Sequence, residues 1–196
     1  MIHWLYERRL RSQLQRLPHH ICFMITEQDM LDAPEKILDV TSWCLNLGIT
    51  LLTFHVNSTD SENIRKFLPY IKKIASVAKL RLHDEYGTEV KGEGVVVDVA
   101  IGKSGREEIA QCIKQMANDG IDPKVVDEHL IESYLAFRYS PDLVIKTGGY
   151  HLTDFLIWQS VYSELYFSDI NWRFFRKIDL LRALRDYQSR ERRFGI

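Results

Sequence analysis

The residues best suited to chemistry lie in one stretch, PDLVIKTGGYHLTDFLIWQSVYSELYF, residues 141–167. Its apolar run, 142–146, ends in Lys146, and Thr147-Gly148-Gly149 follow as a tight polar turn leading toward a helical pattern. A lysine, a threonine hydroxyl and glycine amides at such a junction are the parts of an anion cradle. The same residues would serve equally as a plain turn. A second cluster closes the chain in YQSRERRFGI, where Arg190, Arg192 and Arg193 end a helical pattern. Cations suit a helix C-terminus, and Arg193 is also placed to reach another subunit. The third stretch is HHICFMITEQDML, 19–31. Its apolar run, 21–25, stops at Thr26-Glu27-Gln28-Asp29, where a parallel sheet usually displays its ligands, yet the turn begins on a neutral threonine.

Other chemistries find no support. Gly102-Lys103-Ser104-Gly105 follows an apolar run as a phosphate loop would, but Val97 stands where that motif needs its first glycine. Gly92 and Gly94 precede an apolar run instead of following one, so no dinucleotide fingerprint forms. There is no GxSxG elbow. The one close histidine pair, His19-His20, is adjacent in a strand-like segment, where neighbours face opposite sides. Cys22, Cys44 and Cys112 are widely spaced among apolar neighbours, as befits reduced thiols in a core.

The elements that must position these residues alternate between two kinds. Continuous apolar runs at 21–25, 49–56, 79–82, 94–101, 142–146 and 165–167 predict strands covered on both faces. Helical patterns fall between them, at 33–48, 61–78, 105–118, 123–137, 153–160 and 178–192. Strands alternating with helices predict an α/β fold: a single domain over 1–196, with a mainly parallel sheet of about six strands flanked by helices. The first seventeen residues carry Arg8, Arg9, Arg11 and Arg16 beside Trp4, Leu5, Leu10, Leu14 and Leu17. They predict an amphipathic basic helix that packs on the domain, with peripheral membrane contact as the alternative. With 196 residues, a net charge of −1 and no apolar stretch near the ~20 residues of a membrane span, the chain reads as cytoplasmic and without nucleic-acid partners.

Together these stretches resemble the cis-prenyltransferase family, the undecaprenyl and dehydrodolichyl diphosphate synthases. The likeness covers nearly the whole chain. It runs through LPHHICFMI (17–25), SGREEI (104–109), PDLVIKTGG…DFLIWQ…YSELYF and the closing YQSRERRFG. Such an enzyme adds isopentenyl diphosphate repeatedly to an allylic diphosphate, with cis double bonds and magnesium, and makes a long-chain polyprenyl diphosphate. By the same resemblance, Lys146, His151 and Thr153 correspond to a degenerate isopentenyl-diphosphate site, and Glu164 to a magnesium-associated glutamate. Lysine lacks the bidentate fork of the family's arginine, and neutral histidine adds little charge.

The departures concern the first loop. Where the family has Asp-Gly-Asn-Gly/Arg-Arg-Trp, this chain has Thr26-Glu27-Gln28-Asp29-Met30, so the family's catalytic aspartate is replaced by Thr26. An anionic Glu27 beside a diphosphate is repulsive, two unit charges 4 Å apart costing ~4 kcal/mol at an effective dielectric of 20. Leu17-Pro18-His19-His20, Thr26-Glu27, Trp43-Cys44 and Gly48-Ile49 are similar to the silent Nogo-B receptor-type subunit of heteromeric cis-prenyltransferases. This implies a subunit inactive or weakly active alone, in a heterodimer whose catalytic partner holds most of the magnesium. It would lend that partner Arg193 and the Gly195 amide in trans. Two alternatives stand beside it. One is a self-sufficient homodimer using Asp29 or Glu27 in a remodelled loop; the other is a polyprenyl-lipid-binding scaffold. Dimerisation is expected through the region from Phe155 to Phe167.

Overall fold

The computed structural model describes residues 2–149 and 151–190, so the expectations for Arg193 and Gly195 lie outside the described residues. The elements are α1 (Ile2–Gln13), β1 (His20–Thr26), α2 (Glu27–Asp32), α3 (Lys36–Leu47), β2 (Leu51–Asn57), α4 (Ser61–Lys72), β3 (Lys79–Asp84), β4 (Gly87–Lys91), β5 (Val96–Ile101), α5 (Gly105–Asn118), α6 (Glu128–Tyr134), β6 (Leu143–Thr147), β7 (Glu164–Ser168) and α7 (Lys177–Ser189). The described strands form one sheet in the order β4-β3-β5-β2-β1-β6-β7, parallel except where β4 pairs antiparallel with β3. This is the expected α/β architecture with one strand more. β4 escaped the sequence reading because GTEVK is short, polar and largely exposed, with no apolar run to mark it.

β1 and β2 are buried on both faces, which is why they read as unbroken apolar runs. Alternate residues serve different cores. Phe23 and Phe54 stack at 5.2 Å with Trp172 edge-on to both at 6.4 Å, under α3, α4 and α7. The Trp172 indole N–H donates to the Ala33 carbonyl at 3.1 Å, so this aromatic core carries no orphaned donor at its largest side chain. On the opposite face Cys22 and Met24 pack with Ala100, Val144, Phe155 and Leu156. Cys22, Cys44 and Cys112 are free and buried, and burial pushes all three thiols up, so they are core residues.

α1 docks through Leu10, which is buried against Ile178 and Leu181 of α7. Gln188 binds the Gln15 amide and the Gln13 carbonyl, fastening the following segment. The packed alternative therefore describes this helix, and no described helix is long and apolar enough to cross a membrane.

Two expected helices differ. The 123–137 pattern divides into a 3-10 turn, Pro123–Val125, and the short α6, because Asp127 caps a new start by accepting from the Leu130 amide. Residues 153–160 are turns, not a helix. The physical break is Leu156, held at φ +54° while its side chain is buried. A left-handed leucine costs roughly 1–2 kcal/mol and cannot continue a right-handed helix.

Candidate active site

Helical crossovers put β2 on one side of β1 and β6 on the other, so the strand order switches sides between the parallel strands β1 and β6. A crevice outside the carboxyl ends of those strands is where such sheets bind ligands. β1 delivers Thr26 to it and β6 delivers Lys146 and Thr147, with Met24 and Lys146 in register.

At the β1 end the loop closes on itself. Thr26 Oγ1 accepts from the Asp29 amide at 3.1 Å and donates to Asp29 Oδ2 at 2.7 Å, while the Thr26 amide donates to the same oxygen at 3.1 Å. This capping box folds a carboxylate back to the end of β1, three residues later in sequence than the expected position. Glu27 turns away. Its carboxylate accepts from Ser58 Oγ at 2.5 Å and from Asn63 Nδ2 at 2.9 Å, tying α2 to α4.

At the β6 end Lys146 is 5% exposed and donates to the Thr147 carbonyl at 2.8 Å. Burial pulls its pKa down, against a smaller upward pull from Asp29. The Thr147 hydroxyl is buried with no hydrogen-bond partner among the described residues, and as the next residue of β6 it faces the other side of the sheet from Lys146. Gly148 follows at φ +67°, its amide bound to the Ser168 carbonyl at 3.0 Å, and a Cβ there would lie 2.9 Å from Asn171 Oδ1. The turn needs glycine at that point.

The third wall comes from 153–154. Thr153 Oγ1 lies 3.7 Å from Met24 Sδ and 3.1 Å from Nδ1 of His55, a buried residue of β2 that the sequence reading passed over. The His55 ring stacks on Phe155 at 4.2 Å and its Nε2 reaches the Lys103 carbonyl at 2.9 Å. Burial lowers its pKa to about 4, against the raising influence of that carbonyl and of Asp154. Asp154 accepts from Ser104 Oγ at 2.6 Å, and its carbonyl accepts from the Gly105 amide at 2.8 Å. A Cβ on Gly105 would sit 2.3 Å from that carbonyl oxygen. The glycine-lysine-serine-glycine loop therefore clamps the Thr153 segment in place and caps α5, which explains its likeness to a phosphate loop without that loop's function.

The remaining expected site residues are elsewhere. His151 is exposed. Glu164 opens β7, paired in register with Leu143, whereas Thr147 pairs with Ser168, so Glu164 and Lys146 lie toward opposite ends of the sheet. Glu164 accepts from Arg190 at 3.1 Å, and Arg190 also holds the Leu165 carbonyl and Asp186, anchoring the end of α7 to β7. No group of three or more His, Cys, Asp or Glu among the described residues is placed to hold a metal. Asp29 and Asp154 are the carboxylates that the described walls bring to the crevice, one bound by Thr26 and the other by Ser104, and they do not make a protein-built magnesium site.

A cleft of about 720 Å³ lies away from the crevice, over the middle of the sheet. Its floor holds Asp98, which is 3% exposed and receives Arg81 Nε at 2.7 Å and His83 Nε2 at 2.9 Å. This cluster is a satisfied ion network and brings no nucleophile. At the expected interface Phe155 and Leu156 are buried, while Ile157 and Val161 are exposed.

A family model described as putative undecaprenyl diphosphate synthase matches residues 70–195. An isoprenyl transferase of Thermus thermophilus is 33% identical over 251 residues, covering 99% of this chain and 95% of that protein. That alignment is longer than the 196-residue chain, so the Thermus protein carries segments this one lacks. A tritrans,polycis-undecaprenyl-diphosphate synthase (geranylgeranyl-diphosphate specific) of Methanocaldococcus jannaschii is 34% identical over 202 residues, covering 82% of this chain and 72% of that protein. Among solved structures, lavandulyl diphosphate synthase from Lavandula x intermedia in complex with dimethylallyl diphosphate has a TM-score of 0.77 at 23% identity. It covers 92% of this chain and 99% of that one, a likeness of fold. A probable undecaprenyl diphosphate synthase from Campylobacter jejuni gives a TM-score of 0.72 at 19% identity, over 93% of this chain and all of that one. Each of these relatives is named as a synthase or transferase, not as a silent subunit.

Proposed function

The chain belongs to the cis-prenyltransferase family, that of the undecaprenyl diphosphate synthases, and from this premise we propose that it transfers prenyl groups itself, at the crevice between β1 and β6. The substrates are isopentenyl diphosphate and an allylic diphosphate, and the product is a polyprenyl diphosphate. In that reaction the allylic carbon–oxygen bond breaks and the diphosphate leaves with the electron pair. The isopentenyl double bond forms the new carbon–carbon bond, and the adjoining carbon sheds a proton.

The residues of this chain supply charge and position. Lys146 is a desolvated cation, and a diphosphate oxygen would relieve the burial that now lowers its pKa. Preorganised groups of this kind act most strongly where water is excluded. The family implies magnesium, which offsets diphosphate charge when bound; the crevice contributes Asp29 toward it and no complete ligand set.

The observation that carries this reading is the Asp29 carboxylate, folded against Thr26 at the end of β1 and electrostatically coupled to Lys146. It restores an acid near the position from which the sequence had removed one. The test is incorporation of labelled isopentenyl diphosphate by the purified chain alone, with Asp29→Asn compared against Glu27→Gln. Loss in the first and retention in the second support the reading; equal rates in both would refute the role of Asp29.

One observation favours a second reading, the accessory subunit. Asp29 Oδ2 already accepts two hydrogen bonds from Thr26, so its service as a cap competes with service to a ligand. On that reading Arg193 and Gly195 complete the site of a catalytic partner. Arg193→Ala would then abolish turnover of a mixed complex and leave the complex intact.

A further inference from the structure

His55 bears on the chemistry through hydrogen-bond direction. Its Nε2 faces the Lys103 carbonyl at 2.9 Å, a group that can only accept, so Nε2 carries the ring proton and Nδ1 carries a lone pair. Thr153 Oγ1, 3.1 Å from Nδ1, must then donate its single proton inward. The competing acceptor, Met24 Sδ at 3.7 Å, is a weak one. The ring is wedged against Phe155 and the nearest charge is the Asp154 carboxylate, itself held by Ser104 Oγ. Burial keeps the ring neutral through the physiological range, so this arrangement has one tautomer.

We propose that His55 is a positioning residue that withholds the Thr153 proton from an anionic ligand, so that Thr153 presents only lone pairs to the crevice. The anion is then held from the β6 side by Lys146, and the Thr153 side takes a hydrogen-bond donor such as water or a hydroxyl. This rests on the diphosphate reading of the crevice and assigns the two walls opposite roles. Removing the imidazole while keeping its stack on Phe155 would free the Thr153 proton to meet a phosphate oxygen. His55→Phe should therefore bind tighter, an outcome that a purely structural histidine would not produce.

Two measurements test it. In the wild-type chain with ¹⁵N-labelled histidine, long-range proton–nitrogen correlation should show His55 as the Nε2–H tautomer. An Nδ1–H tautomer overturns the proposal without reference to any variant or ligand. In calorimetric titration with inorganic pyrophosphate, His55→Phe should bind about two- to tenfold tighter, one neutral hydrogen bond's worth. The gain should vanish in the His55→Phe/Thr153→Val double variant. Weaker or unchanged binding by a folded His55→Phe overturns the proposal. Lys146→Met in the same titration keeps the two readings apart: if it leaves pyrophosphate affinity intact, the anion-site reading fails, and the tautomer still decides the role of His55.

Discussion

Lys146→Met should make the protein more stable and its anion site worse. Lys146 is 5% exposed, its one described hydrogen bond goes to the neighbouring Thr147 carbonyl, and no ion pair reaches it among the described residues. Burial penalises its charge more than Asp29 rewards it, which is why its pKa is lowered. Methionine fills nearly the same volume without a charge to desolvate. Replacing buried charge by a well-packed apolar group is worth about 1–4 kcal/mol, and the lower half applies here because the ammonium keeps one good partner. At about 1–2 kcal/mol, a chain of this size should melt roughly 2–8 °C higher. Loss of a hydrogen bond from a charged group, about 1.5–3 kcal/mol, should weaken pyrophosphate binding by about ten- to 150-fold. The pH dependence has a definite sign. Between the lowered folded pKa and the ordinary lysine value of ~10.4 the unfolded chain binds more protons. Wild-type stability should accordingly rise with pH through that window, and the methionine variant should lack this component. Calorimetric melts from neutral to alkaline pH, with pyrophosphate titrations, give both halves. A lower melting temperature with unchanged affinity would refute the view of Lys146 as a strained, functional cation.

The ion network at mid-sheet should behave in the opposite way: Asp98→Ala strands Arg81 and His83 and should cost about 3 kcal/mol, read from denaturant melts. Burial pushes the Asp98 carboxyl up, but hydrogen bonds from His83 and Arg81 outweigh it and leave it below the usual range. Its stabilisation is therefore complete above the unfolded value of ~3.9 and lost as pH falls through the lowered one, a component the variant's acid titration should lack. Gly105→Ala forces a Cβ against the Asp154 carbonyl and should cost about 1–3 kcal/mol, read from denaturant melts. Glu27→Gln loosens the tie from α2 to Ser58 and Asn63 and should lower stability by about 1 kcal/mol with little change in turnover.

Most of the sheet was legible because its central strands are buried on both faces and so announce themselves as apolar runs; β4, polar and exposed, had no such signal. The helix expected at 153–160 failed for a tertiary reason: Leu156 takes a left-handed conformation to fill the core beside Phe155, and periodicity carries no trace of that. The strand-end turn Lys146-Thr147-Gly148 was visible, since residue type and position together suggest it; its service to an anion is the proposal made above. The roles of Glu27 and Asp29 were not, because both are acids in one loop and only the cap geometry separates them. His55 was hidden most completely. It sits inside ITLLTFHVN as one polar residue on a buried strand, and its partners Lys103 and Thr153 lie 48 and 98 residues away. Glu164 matched a family position by type, yet the register places it toward the other end of the sheet from Lys146.

The central claim is that this chain performs prenyl transfer itself. Labelled isopentenyl diphosphate, supplied with an allylic diphosphate and magnesium to the purified chain alone, should enter a prenyl diphosphate product, and Lys146→Met should abolish that incorporation. No incorporation by the lone chain, with turnover appearing only when a second homologous synthase is added, would contradict it.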